Sequence, residues 1–307
     1  MYIWDTTAPV FKYSNDIRKI YEYFYISGRK NYTNWVGKIS KSFRNDIDWW
    51  SSSIPSRNTY VSKLFHNICI LESLSKLKKK GKCPKKIIVR SPELKKLIIY
   101  HFKQSVEVKV VEKKSFFKNL YFIFFPLIYI LFIFIFSRIF KNKNNIKKEK
   151  NNVLIDTFIT SINLNSSRYY GQLEQNSLQH KNVFFVPTIL NAKITMIPNI
   201  VKNLRNRKFF LLKDDFIYIN DIFYAFSFIF RKKKFYTKYA FYKSFNLSSL
   251  VKEELKFSSD FHATLTSIIN YRFAKNLKDK NIKIKKVVNW FENTTVDKGW
   301  NFGFRTY

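Results

Sequence analysis

The stretch VVNWFENTTVDKGWNFGFR, residues 287–305, has the residue types of a polar site at a strand end. An apolar run, 287–291, leads into Glu292 and Asn293, and the chain then turns through Thr294 and Thr295 into an expected helix holding Asp297 and Lys298. In open α/β sheets ligands bind beyond the carboxyl ends of strands, so Glu292 and Asn293 stand where a functional site is expected. A threonine at the helix start caps it and leaves its first amides, at the positive end of the helix dipole, available to a phosphate. The same spacing fits a solvated strand-to-helix turn capped by threonine, and spacing alone leaves both readings open. Asp156 ends the strand pattern VLID, and SSRYYGQ, residues 166–172, follows as a loop carrying Arg168; an Asp at a strand end is often only a cap. A third polar and aromatic stretch, NDIDWWSSSIPSRNTY at 45–60, carries Arg57.

Other catalytic signatures are absent from the sequence. It has no Walker A loop, GxGxxG, HExxH or GxSxG, and His66, His101, His180 and His262 stand far apart. Cys69 and Cys83 have no metal-ligand spacing and form no disulfide framework, so no metal site and a reducing compartment are expected. The opening MYIWDTTAPVFKYSND has neither a basic nor an apolar leader region, so no secretory signal is expected.

The elements that must position these residues alternate. KKIIVR (85–90) reads as a strand, SPELKKLIIYHFK as a helix with Ser91 as N-cap and Pro92 in its first turn, and VEVKVVE as a second strand. Residues 151–160, 181–190 and 284–293 are further short apolar strands, and AKITMIPNIVKNLRNR is a proline-interrupted helix. The run at 214–234 reads as a helix packed on the sheet. Strands alternating with helices imply one parallel sheet with crossovers, an α/β protein.

Into this pattern is set KNLYFIFFPLIYILFIFIFSR, residues 118–138, whose positions 120–136 are apolar or aromatic apart from Pro126. Seventeen helical residues rise about 25 Å, just short of a hydrocarbon core of about 30 Å. Lysine or arginine lies on both sides, at Lys113, Lys114 and Lys118 and again at Arg138, Lys141 and Lys143, which marks both ends as cytoplasmic. If the strands before and after it share a sheet, the segment must dip into the bilayer face and return, bent near Pro126, and contribute little to the sheet. Phe124, Pro126, Ile130 and Phe134 are the expected membrane contacts. A single span and a buried core helix are the alternatives. The organisation expected is therefore 1–112 as the first part of the α/β domain, 113–150 as the membrane segment and basic linker, and 151–307 as the second part.

The chain carries 56 Lys and Arg against 21 Asp and Glu, a net charge of +35. Clustered positive charge suits nucleic acid, but the abundance of Lys, Asn, Ile, Phe and Tyr together points to codon usage, so nucleic acid is disfavoured relative to a membrane surface or a phosphorylated donor.

WDTTAPVFKYSNDIRKIYEYFY, NDIDWWSSSIPSRNTYVSKLFHNICILESL and especially NWFENTTVDKGWNFGFRTY resemble the bacterial surface carbohydrate biosynthesis proteins, a family of glycosyltransferase type with two Rossmann domains, the GT-B architecture. The resemblance covers most of the chain. It implies a Rossmann-like parallel sheet with flanking helices, one half of a GT-B enzyme. Such proteins continue past the GFR stretch into a second, donor-binding domain, whereas this sequence stops at Tyr307, so the chain is expected to be the acceptor-side half, with little activity alone and a separately encoded donor domain as a candidate partner. The implied function is sugar transfer in surface polysaccharide, lipopolysaccharide or capsule synthesis. The implied acceptor is a lipid-linked saccharide at the cytoplasmic face of the bacterial inner membrane. The implied donor is a nucleotide-sugar, with no tightly bound cofactor. Glu292 would then be the catalytic general base, its pKa raised beside Trp290 and Phe291, and Asn293 a hydrogen-bonding partner. Asp297, Lys298, Asp156, Arg168 and Arg57 would serve substrate binding. The alternatives are a basic nucleic-acid-binding protein without catalysis and a membrane-anchored interaction protein.

Overall fold

The computed structural model describes residues 2–56, 62–102, 106–111, 116–141, 146, 148, 151–159, 182–236, 240–256, 261–289 and 294–305, with the backbone alone at 116–119. The chain divides into two compact units, Met1–Leu120 with Ile229–Asp260, and Tyr121–Phe228 with Phe261–Tyr307. Both are α/β.

The first unit holds strand β1 (Ile3–Asp5), helices α1 (Asn15–Ser40) and α2 (Leu64–Lys79), strand β2 (Lys86–Val89), helix α3 (Pro92–Phe102) and strand β3 (Glu107–Val110). Its sheet is parallel in the order β1-β2-β3, with Trp4 opposite Ile87 and Ile87 opposite Val108. Helix α3 begins as the sequence dictates, since Ser91 Oγ accepts from the Leu94 amide at 2.9 Å and Pro92 stands in the first turn. Its buried Leu94, Ile98 and Phe102 recur every fourth residue and form one face. Helices α1 and α2 meet through aromatic rings, Tyr32 and Phe65 lying 5.0 Å apart.

The stretch at 45–60 is structural where it is described. Trp49 is fully buried and donates from Nε1 to Ser40 Oγ at 3.0 Å. Asp48, also buried, accepts from Arg231 Nε and Nη2 at 2.7 Å each and from Lys234 at 3.0 Å. These ion pairs fasten residues 229–260 back onto the N-terminal part, a closure that no short-range pattern in the sequence announces.

The second unit opens with helix α4 (Phe116–Ile139) and continues with strands β4 (Asn152–Ile159) and β5 (Val183–Ile189) and helices α5 (Ile197–Arg205), α6 (Ile219–Phe226) and α7 (Phe261–Asp279). Strand β6 (Ile284–Val288) and helix α8 (Thr295–Phe304) complete it. The order of its parallel sheet is β5-β4-β6. Pro187 sits in β5, on the side of the sheet where a missing amide is tolerated. Helix α5 carries Pro198 in its first turn and buries Ile197, Ile200, Val201 and Leu204, the i, i+3, i+4, i+7 stripe of an amphipathic helix. Helices α7 and α8 approach closely at Gly299, where an added Cβ would come within 1.8 Å of the Ser267 carbonyl oxygen, and at Gly303, where it would meet Ala274 Cβ at 2.7 Å.

Three expectations are corrected. Among the described residues the expected strands lie in two three-stranded parallel sheets rather than one: β4 pairs with β5 and β6, and none of these three pairs with a strand of the N-terminal part. The apolar segment does not leave the fold. Tyr129 belongs to the core formed by Ile155, Ile159, Phe185, Ile189 and α5, with Ile133 and Phe136 packed against it. Of the four expected membrane contacts, Pro126 and Ile130 are instead buried, Phe134 is half-buried under the Arg138 guanidinium 5.0 Å from its ring, and Phe124 is exposed. The helix runs through Pro126 without ending there. Finally, the run at 214–234 breaks at Ser227 into α6 and a short helix, and α6 docks on α7 through Asp221, which accepts from Arg272 Nε at 2.5 Å and from Asn276 at 2.7 Å.

Candidate functional site

The polar centre of the second unit is built at the carboxyl end of its sheet. The β4–β6 pairing ends at Ile155 opposite Val288, while β4 stays paired with β5 as far as Ile159, so Asp156, opposite Val186, is an interior residue of β4 rather than its last, beside the crevice that opens between β4 and β6. That is the switch-point position at which α/β sheets place ligands. Asp156 is fully buried, as are Thr157 beside it and Thr188 on β5. Lys213, two residues after the apolar Leu211, enters the same interior. Its Nζ donates to Thr188 Oγ1 and to Asn270 Oδ1, each at 2.7 Å. Asn270 on α7 in turn donates from Nδ2 to the Val296 carbonyl of α8 at 3.4 Å.

The start of α8 behaves as its sequence predicts. Thr294 is the N-cap, and its amide and hydroxyl both donate to Asp297 Oδ2, at 2.9 and 3.0 Å. Asp297 is fully buried and close enough to Asp156 for the two charges to oppose each other. Burial, reinforced by Asp297 and opposed by Lys213, pushes the Asp156 carboxyl up to about 7. Burial likewise lowers the Lys213 ammonium, against the attraction of Asp156. A carboxyl poised near neutrality beside a desolvated ammonium can hold or release a proton within the working range of an enzyme. A cleft of about 50 Å³ reaches Lys213 and Thr188 and is otherwise lined by Ile130, Ile133, His262 and Thr266. That volume admits a water-sized group and no sugar ring. The His262 ring stands edge-on to Tyr129 at 5.1 Å, and burial lowers its proton affinity.

Of the residues expected in a site, Asp156 and Asp297 are thus brought together, and Lys298 is half-buried on α8. Glu292, Asn293, Arg168 and Arg57 lie outside the described residues. Sequence reading missed Lys213, Thr188 and Asn270. The signal for the first was a lysine directly after the apolar run FFLL at 209–212. Thr188 is a single polar residue in an apolar strand, and Asn270 is one of many polar residues along α7, so neither gives a local sign. Among the described residues no group of three or more His, Cys, Asp or Glu could hold a metal ion.

A second feature lies on the outside of this unit. Helix α4 is fastened by its inner side: Tyr129 Oη accepts from the Ala192 amide at 3.2 Å, Arg138 donates to the Ile217 carbonyl at 2.7 Å, and Arg205 donates to the Ser137 carbonyl at 2.8 Å. Arg205 is itself locked by a two-pronged ion pair with the buried Asp215, both contacts 2.6 Å. Tyr121, Phe125, Ile128, Phe132, Ile135 and Ile139, spaced by four and three residues in turn, are exposed along the opposite side.

Comparison with protein-family models, with curated proteins and with solved structures gives no match. The functional reading therefore rests on the residues and their arrangement.

Proposed function

We propose that the chain is the acceptor-side part of a glycosyltransferase of surface carbohydrate synthesis, held on the cytoplasmic face of the inner membrane by the outer stripe of α4. The observation that carries this reading is the two-sided character of that helix. Residues Leu120–Ile139 are long and apolar enough to cross a membrane, yet the inner side is hydrogen-bonded and packed into the sheet's core, which a helix surrounded by lipid cannot be. The other side presents six aromatic and aliphatic side chains to the outside in one stripe, the kind of exposed apolar surface that marks an interaction site. An anionic bilayer is the occupant this face fits, because the chain carries +35 and Arg138 and Lys141 stand at the end of the helix. Each basic residue near such a surface contributes about 1 kcal/mol.

The catalytic part of the reading rests on the resemblance of the three quoted stretches and on the switch-point location of Asp156 and Asp297. The sheet with its flanking helices would be Rossmann-like, one half of a GT-B enzyme, and a nucleotide-sugar the donor. A lipid-carried acceptor would come from the membrane to which α4 binds, and its sugar would stay outside the 50 Å³ cleft. Glu292 remains the proposed base, with Asn293 beside it. The test is transfer: membranes carrying the protein, together with any continuation encoded downstream, are incubated with radiolabelled nucleotide-sugars. Label moving into organic-extractable lipid, and falling about a hundredfold in Glu292→Gln, supports the reading. Absence of transfer with every donor removes it.

A further inference from the structure

The first unit carries a groove that the proposed transfer reaction does not use. It measures about 750 Å³, within the roughly 300–1,000 Å³ typical of small-ligand sites, and runs along α1. Asn31, Asn34, Lys38 and Lys41 line it at spacings of three, four and three residues, so they form one helical stripe. Facing them is the hairpin of Phe241–Tyr242 and Phe245–Asn246, with Lys243 at its turn. Lys243 adopts φ of 52°, a left-handed backbone that residues other than glycine seldom take. Its ammonium is aimed by the largely buried Glu72, whose Oε2 it meets at 2.7 Å, and it lies 5.9 Å from the Phe24 ring and 5.7 Å from the Tyr242 ring. With three lysines against one carboxylate, the groove keeps an excess of positive charge.

Below Lys243 the groove adjoins a recess of about 160 Å³ lined by Phe24, Gly28, Phe65, Tyr242 and Glu72. Its walls are aromatic, and Glu72 supplies one acceptor. A phosphate belongs over the lysines and amides, and a flat ring with N–H donors belongs between the aromatic walls.

We propose that this groove and recess together form a binding site for a nucleoside phosphate, its phosphates along the Lys38–Lys41–Lys243 side and its base in the recess beside Glu72. The site lies wholly in the first unit and is independent of the transfer chemistry assigned to the second. Two substitutions separate its halves. Lys243→Gln removes the oriented charge. Gly28→Leu fills the recess: a Cβ at Gly28 meets nothing closer than Phe65 at 3.7 Å, and within α1 the change favours the helix.

The experiment is calorimetric titration of the full chain in detergent with ADP, UDP, adenosine and pyrophosphate. The expected results are saturable binding of a nucleoside diphosphate at least about tenfold tighter than pyrophosphate, weakening about tenfold in Lys243→Gln, and recovery in Lys243→Arg. In Gly28→Leu the advantage of ADP or UDP over pyrophosphate disappears while pyrophosphate affinity is kept. Equal affinity of the wild type for nucleotide and pyrophosphate would show an unspecific anion surface and overturn the proposal. So would nucleotide binding unchanged in both variants, or no binding of either nucleotide by folded wild-type protein.

Discussion

Replacing Asp156 by asparagine should stabilise the protein above neutral pH and leave it no more stable in acid. In the folded chain the Asp156 carboxyl is raised to about 7, against about 3.9 for an unfolded aspartate. Below pH 4 both states hold the proton and the group contributes nothing pH-dependent. Between about 4 and 7 the unfolded chain has released its proton while the folded chain retains it, so stability falls as pH rises. Above 7 the folded state also ionises and the loss is complete. Three pKa units correspond to roughly 4 kcal/mol, the upper limit for the single group. Asparagine cannot ionise, so it escapes this loss, but it also removes one of the two carboxylates, Asp156 and Asp214, whose charge favours the Lys213 ammonium. The hydrogen bonds from Lys213 to Thr188 and Asn270 remain, and a net gain of about 2 kcal/mol at pH 8 is expected. Urea unfolding of wild type and Asp156→Asn at pH 4.5, 6 and 8 measures it. Parallel stability profiles across that range, or a variant less stable than wild type at pH 8, would refute the assignment of a neutral-range buried carboxyl.

The contact between α7 and α8 allows a second test. Gly299→Ala would place its methyl 1.8 Å from the Ser267 carbonyl, forcing the helices apart, and should cost about 3 kcal/mol or more, read as a lowered urea midpoint. Deleting residues 118–138 should unfold the second unit rather than release a soluble domain, since Tyr129 and Ile130 are buried and the Ser137 carbonyl holds Arg205. Loss of near-ultraviolet dichroism in the deleted chain is the expected reading, and a folded, soluble product would contradict the packing described.

Local chemistry was legible in the sequence. Ser91 and Pro92 start α3 and Thr294 caps α8, each through contacts between residues a few positions apart, whereas Pro198, expected to interrupt a helix, stands instead in the first turn of α5. The existence of β2 to β6 was legible too, from short apolar runs, whereas the three-residue β1 and the two-residue strands of the hairpin at 241–246 are too short to give a pattern. The partition of β2 to β6 into two sheets was not, because an apolar run reports that a strand is buried and says nothing of which strand it pairs with. Helix α4 shows the same limit in another form. Being apolar all round, it has no periodic contrast from which to tell the face carrying Tyr129 and Ile130 from the face carrying Phe125 and Phe132. Lys213 and Asn270 meet from positions 57 residues apart, and only the fold brings them together. Asp156 was picked out for the wrong reason: the pattern VLID put it at a strand end, whereas β4 runs on to Ile159, and it is the fold that brings it near Asp297.

Vesicle flotation is the most direct test of the membrane role assigned to α4. Wild-type protein should float with vesicles rich in anionic lipid, more weakly with zwitterionic ones, and the anionic preference should decline with salt. The triple substitution Phe125→Ser, Phe132→Ser, Ile135→Ser alters only exposed positions of the outer stripe, so the fold should persist by circular dichroism. Each buried apolar side chain contributes about 1.5–3 kcal/mol, so removal of three should weaken flotation by two orders of magnitude or more. Flotation undiminished in the folded triple variant, or no flotation of the wild type with anionic vesicles, would contradict the account.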